Sequence, residues 1–197
     1  MPKRVFFSDL SSSWDEQHAG QEEQERLRLF SGHFRLRPGD RVLDAGCGSG
    51  RLIPVVCDQI GLDGSLVELD FACGMIEINR SKPHPGNVTF VMADAHSLPL
   101  PDNDFDKVIA LALLPHLDDK AIALKEFHRV LKPGGLLVIA HQMGREALDR
   151  LHGRSSEPIQ RDLFPENAVL ESLMAAAGFS AIEILDEPDH YVAWGQA

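Results

Sequence analysis

The sequence predicts an α/β protein: a mostly parallel sheet of seven strands with helices on both faces and an antiparallel hairpin at the C-terminal end. Three observations predict it. Short β-prone runs alternate with apolar-periodic helical stretches through the middle of the chain. The first such run breaks directly into the glycine turn Gly46-Cys47-Gly48-Ser49-Gly50. The last two runs are joined by the turn residues Glu187-Pro188-Asp189, which suits a hairpin.

Taken in order, residues 14–34 are dense in Glu, Gln and Arg and sparse in apolar side chains, so they predict an exposed or lid-like helix ahead of the core. Arg37-Pro38-Gly39-Asp40 stops it. Strands are expected at 41–45, 65–70, 87–92, 105–111 and 136–140, with helices at 52–60, 72–80 and 118–131 between them. The turn Lys132-Pro133-Gly134-Gly135 precedes the fifth strand. Residues 143–161 are polar and interrupted by Gly153, which reads as a lid or insertion, and Pro165-Glu166 opens a last helix before hairpin strands at 181–185 and 191–194.

The chain has 197 residues, one ordinary domain in length, and can bury roughly two-thirds of its unfolded surface without help from disulfides or metal. Hydrophobic residues at 44% and charged residues at 25% are ordinary for globular proteins and exclude a disordered or fibrous class. The N-terminal apolar patch is only Val5-Phe6-Phe7, too short for a secretory signal or a membrane span, so a cytoplasmic protein with no membrane insertion is expected. Cys47, Cys57 and Cys73 form no CxxC pair and read as buried thiols. A net charge of -11 with scattered basic residues disfavours nucleic acid as a partner. A homodimer is compatible with the sequence, but nothing in it selects an oligomeric state.

Gly46-x-Gly48-x-Gly50 follows a strand and opens a helix, the context in which bare backbone approaches a nucleotide-like ligand. The spacing differs from the GxGxxG of dinucleotide sites, and the strand ends in Asp44. A carboxylate there suits a cationic amino group better than a pyrophosphate, which makes a nicotinamide-dependent oxidoreductase the weaker reading.

VLDAGCGSGRL, at 42–52, resembles the first motif of the class I S-adenosylmethionine-dependent methyltransferases. The resemblance continues in order: Leu69-Asp70-Phe71 with Met75-Ile76, then Ala93-Asp94-Ala95 with Leu98-Pro99-Leu100-Pro101, then Phe105-Asp106 through Leu113, then Arg129 through Gly135. Several motifs in register are far more specific than one glycine loop. The stretches 66–80 and 94–108 are most similar to the ubiquinone/menaquinone C-methyltransferases and their small-molecule relatives. The resemblance implies a Rossmann-like fold, S-adenosylmethionine as cofactor and a small-molecule methyl acceptor. The chain as a whole is read as a single domain over 1–197, with an N-terminal helical lid (1–37), a cofactor-binding core (38–142) that the resemblance covers, a lid or insertion (143–165) and a C-terminal helix and hairpin (166–197).

Carried over by position, the resemblance gives Asp44, Gly46 and Gly48 the methionine end of the cofactor and Asp70 the two ribose hydroxyls. Asp94 and the backbone N–H of Ala95 would meet the adenine, Met75 would flank it, and Leu111 would open the acceptor pocket. Glu68 stands where the family often has a small residue. Base candidates are His116, after the fourth strand, and His141, after the fifth, where ligands of parallel sheets bind; His152 could join them. No His-x₃-His or carboxylate spacing accompanies these imidazoles, so no metal is expected. A non-catalytic module that keeps the cofactor site remains an alternative at this point, as does histidine in a plain surface role.

Overall fold

The computed structural model describes residues 2–18, 20–154, 158–160 and 162–197, with His18 described by its backbone alone. The chain opens with α1 (Lys3–His18) and α2 (Gln21–Phe30), followed by a single 3₁₀ turn at Ser31–Phe34. The one helix expected over 14–34 is therefore two, because Gly20 adopts an extended conformation (φ -71°, ψ 149°) at the start of α2. Then come β1 (Arg41–Ala45), α3 (Ile53–Ile60), β2 (Ser65–Asp70), α4 (Cys73–Ser81) and β3 (Val88–Met92). The second half holds β4 (Phe105–Leu111), α5 (Lys120–Val130), β5 (Leu131–His141), α6 (Arg145–Gly153), α7 (Asn167–Ala177), β6 (Ser180–Glu187) and β7 (His190–Gln196). Of the segment 143–165, residues 155–157 and 161 lie outside the described residues.

All seven strands join one sheet in the order β3-β2-β1-β4-β5-β7-β6. The first five are parallel, and β7 lies antiparallel between β5 and β6, as the turn residues between the last two runs led one to expect. Successive strand residues point to opposite faces, and each face builds its own core. Val42, Leu66, Ile109 and Val138 pack with Leu27 of α2 and with Val56 and Ile60 of α3. Leu43, Val67, Val108 and Ile139 pack with Leu124 and Phe127 of α5 and with Leu170 and Met174 of α7.

Two features differ from the sequence reading. Leu27 and Phe34 are fully buried, so the polar-looking segment 14–34 is anchored in the core by these two side chains. The turn Lys132-Pro133-Gly134-Gly135 lies within β5 as a bulge, because Gly134 takes φ +81° and its N–H donates to the Ala197 carbonyl at 2.7 Å. Close by, Arg129 donates to the carbonyls of Leu98 (3.0 Å) and Leu100 (2.9 Å) and to Glu126, clamping the loop that follows β3. Among the described residues no helix is long and apolar enough to cross a membrane.

Candidate functional site

The strand order reverses between β1 and β4, and in such sheets ligands settle in the crevice outside the carboxyl ends of the strands at that point. A cavity lies there. Its walls include Gly46, Gly48, Asp70, Met75, Asp94, Ala95, Leu111 and His116 of the residues singled out from the sequence. Asp44 and His141 are not on its wall.

The glycine loop forms the floor. The N–H groups of Gly46 and Cys47 donate to the Leu69 carbonyl at 2.7 and 3.0 Å, tying the loop to β2. Gly48, at φ +55°, donates its N–H to Asp70 Oδ2 at 3.0 Å, and the Ala72 N–H donates to Asp70 Oδ1 at 2.8 Å. Burial raises the Asp70 carboxyl above its ordinary pKa against these backbone donors. Gly50 has a steric reason of its own: at φ +83°, an added Cβ would sit 2.0 Å from Asn79 Oδ1 of α4.

Behind the loop, Asp44 and Glu68 are partners in the β1–β2 register and both are buried, at 1% and 0% exposure. Their carboxyl groups face each other, and Asp44 Oδ2 and Glu68 Oε1 are buried without a hydrogen-bond partner, so a proton on one of the two relieves the pair. Burial, then the Asp44 charge, pushes Glu68 well up, so Glu68 carries that proton. Burial likewise raises Asp44 to about 7, opposed by the Arg51 charge. Asn79 Nδ2 donates to the other Glu68 oxygen at 2.8 Å. Glu68 is thus a partner for Asp44 and Asn79 behind the loop, while Asp70 is the carboxylate on the cavity wall.

Around the far wall, Asp94 Oδ1 accepts from the backbone N–H (2.9 Å) and the ring Nδ1 (2.5 Å) of His96. Burial would raise Asp94, but these bonds from His96 hold it below the usual carboxylate range. Ala112, next to Leu111 at the end of β4, takes a left-handed φ of +55°, with its N–H held by the Ala140 carbonyl at 2.8 Å. Strain of this kind in a non-glycine residue persists where surrounding structure enforces it, commonly at ligand sites.

Helix α1 is the roof. Lys3, Phe7 and Trp14 line the cavity, and their spacing of four and seven puts them on one helical face. The helix approaches α4 closely at Gly74, where an added Cβ would lie 2.5 Å from the Ser8 carbonyl oxygen. Beside the roof, the Arg51 guanidinium lines the cavity, pairs with Glu23 of α2 at 3.2 Å and sits 6.0 Å from the Trp14 ring. Burial lowers its pKa, with Glu23 and Asp44 opposing.

The histidines separate into different settings. His116 lines the cavity and sets its Nδ1 2.7 Å from Asp162 Oδ2, with the Phe7 and His152 rings each 5.1 Å away. Burial lowers its pKa, against the Asp162 hydrogen bond and charge. His152 is buried, with Nδ1 donating to the Asp162 carbonyl at 2.5 Å. His141 is half-buried off the cavity, its Nδ1 without a partner, and burial followed by the Arg51 charge lowers it to about 4. Among the described residues no group of three or more His, Cys, Asp or Glu side chains is arranged to hold a metal ion.

Sequence reasoning passed over Lys3, Phe7, Trp14, Arg51 and Asp162. The helical spacing of 3, 7 and 14 was a usable signal for the first three. Arg51 stood inside the glycine motif without a role. Asp162 had no local signal, since it meets His116 across 46 residues.

Comparison with known proteins agrees with this architecture. A family model described as a methyltransferase domain matches residues 43–139. The ubiquinone/menaquinone biosynthesis C-methyltransferase UbiE of Shewanella sp. (strain ANA-3) is 31% identical over 183 residues, spanning 80% of this chain and 73% of that protein. A SAM-dependent methyltransferase from Aquifex aeolicus shares the fold at TM-score 0.72 and 21% identity, covering 98% and 97% of the two chains. A possible histamine N-methyltransferase from Thermotoga maritima does so at TM-score 0.73 and 22% identity, covering 96% and 97%. The chain belongs to the class I S-adenosylmethionine-dependent methyltransferases.

Proposed function

We propose that this methyltransferase acts on a small-molecule acceptor held under α1, between the cofactor residues and His116. One observation carries the reading: the cavity runs without a break from Gly46, Gly48 and Asp70 to Phe7, Leu113, His116 and Leu117, roofed by a helix. Such a covered space admits a small, partly apolar molecule more readily than a polymer. The net charge of -11 also argues against nucleic acid. The three cysteines are free thiols, which fits a cytoplasmic setting, although only Cys47 is buried as expected, Cys57 being half-buried and Cys73 exposed.

The residues present fit S-adenosylmethionine. Bare backbone at Gly46 and Gly48 leaves room for the methionine end, and a Cβ on Gly48 would grow into that space, toward Trp14 and Met75. Asp70 accepts from the ribose hydroxyls, Asp94 and the Ala95 N–H meet the adenine, and Met75 and Leu111 supply apolar walls. Asp44 favours the amino group from behind the loop by charge, and Arg51 offers a cation to the carboxylate. When bound, the cofactor supplies a methyl carbon already activated by a sulfonium.

The protein's own work is then alignment and proton removal. His116 faces the cavity with Nδ1 engaged by Asp162, which leaves Nε2 for the acceptor. Its depressed pKa keeps it neutral and able to take a proton at physiological pH. The two lid segments, 1–37 and 143–165, frame the acceptor end of a single domain. The test is a screen of metabolite pools for conversion of S-adenosylmethionine to S-adenosylhomocysteine. Hits among small molecules support the reading, and turnover on RNA or protein alone removes it.

A further inference from the structure

We propose that Asp162 is the positioning residue for His116, and that Lys3 ties this positioning to the seating of α1 over the cavity. The inference rests on the reading of His116 as the base.

The geometry is a single carboxylate with divided duties. Asp162 Oδ2 meets His116 Nδ1 at 2.7 Å, and Oδ1 meets the Lys3 ammonium at 2.7 Å. The backbone carbonyl of the same residue takes the His152 Nδ1 proton. Lys3 uses its other protons on Asp118 Oδ1 (2.8 Å) and on the His116 carbonyl (3.0 Å), so the helix that roofs the cavity is pinned to both sides of the base. Asp162 is only 6% exposed, and a buried carboxylate in contact with an imidazole and an ammonium stays ionised: burial would raise its pKa, but the bonds from His116 and Lys3 hold it low.

The consequence is a fixed tautomer. An ionised carboxylate only accepts, so His116 must place its proton on Nδ1 and leave the Nε2 lone pair for the cavity. In the proton step, the acceptor's bond to hydrogen breaks, its electron pair stays on the acceptor atom as the nucleophile, and the proton passes to Nε2. The resulting imidazolium is met by the Asp162 charge. The other groups facing His116 are Lys3 of α1, His152 of α6 and His141 at the end of β5, all of which disfavour imidazolium, and the Phe7 ring packs on it edge-on. Asp162 is thus the one anion in direct contact with the ring among the described residues.

Nitrogen-detected NMR of the full chain without acceptor tests this, with His116 assigned by difference against His116→Gln. In the wild type, His116 should be the Nδ1–H tautomer. Asp162→Asn should populate Nε2–H and lower the His116 titration midpoint by about one pH unit or more, and Asp162→Glu should restore part of both. Lys3→Met should move the midpoint the other way, upward, because a neighbouring cation is removed. A purely structural Asp162 would not give opposite signs. A wild-type Nε2–H tautomer, or midpoints unchanged in Asp162→Asn and Lys3→Met, overturns the proposal. If Asp162→Asn does not fold, the wild-type tautomer and the Lys3→Met shift still decide. The measurement needs no turnover, so its failure is separable from a failure of His116 as base, which shows only in the turnover of His116→Gln.

Discussion

Asp44 and Glu68 lie side by side on β1 and β2 as a buried carboxyl pair directly behind the glycine loop, where burial raises both above the ordinary carboxylate range. The pairing makes cofactor binding and folding sensitive to pH near neutrality. In the proposed site Asp44 favours the cofactor's amino group only when ionised, and burial raises its carboxyl to about 7 in the ligand-free chain. Affinity for S-adenosylmethionine should therefore rise as pH climbs through about 7 and then level. Binding at neutral pH should release protons, read by calorimetry in buffers of different ionisation heat.

The same pair sets a stability trend. Its folded pKa exceeds the ordinary carboxylate value, so the stability it contributes is whole at acid pH and is lost as pH rises through about 7. Glu68→Gln keeps a donor to Asp44 and an acceptor for Asn79 without a titrating proton. Its melting temperature should gain on the wild type between about pH 5 and 8. A constant gap across that window would contradict a proton held by the pair.

His116 and His141 should behave differently. Replacing His116 by Gln should cost roughly a hundredfold in turnover with little change in cofactor affinity, and the acid limb of the wild-type profile should fall below the ordinary histidine midpoint. His141, half-buried off the cavity wall and lowered to about 4, has no such limb to contribute near neutrality. His141→Gln should leave the limb in place. Turnover losses below about threefold in His116→Gln would remove base catalysis and leave alignment alone.

Gly74 is where α1 rests on α4. Alanine there gains helix propensity, but its Cβ meets the Ser8 carbonyl at 2.5 Å and Ser11 Oγ at 2.9 Å, so α1 must move. Gly74→Ala should speed hydrogen exchange in α1 while β1 stays protected, and it should raise the KM of the acceptor. Unchanged exchange in α1 would mean that its seat is not at Gly74.

The strands were readable because each is a short β-prone run closed by Gly, Pro or Asp, and the two-faced burial of β1, β2, β4 and β5 makes those runs nearly continuous in apolar residues. The cavity floor was readable for a related reason: Gly46, Gly48 and Asp70 sit at strand ends, where local sequence dictates backbone path. Helix α1 was harder. It carries few apolar residues, and its contacts with Gly74, Asp118 and Asp162 belong to the tertiary structure. Glu68 looked like a departure, yet it is buried against Asn79 of α4 and beside Asp44, which lies on another strand. Periodicity does not report such long-range polar pairing.

In the proposed mode of binding, S-adenosylmethionine lies at the carboxyl ends of β1 and β2 with Asp70 as its polar anchor. The direct test is calorimetric titration of the wild type and Asp70→Ala with S-adenosylmethionine, with thermal melting to verify that both are folded. One site is expected in the wild type, with a loss of roughly 1.5–3 kcal/mol, about ten- to a hundredfold, in the variant. Equal affinity in a folded Asp70→Ala, or no binding by the wild type, would contradict it.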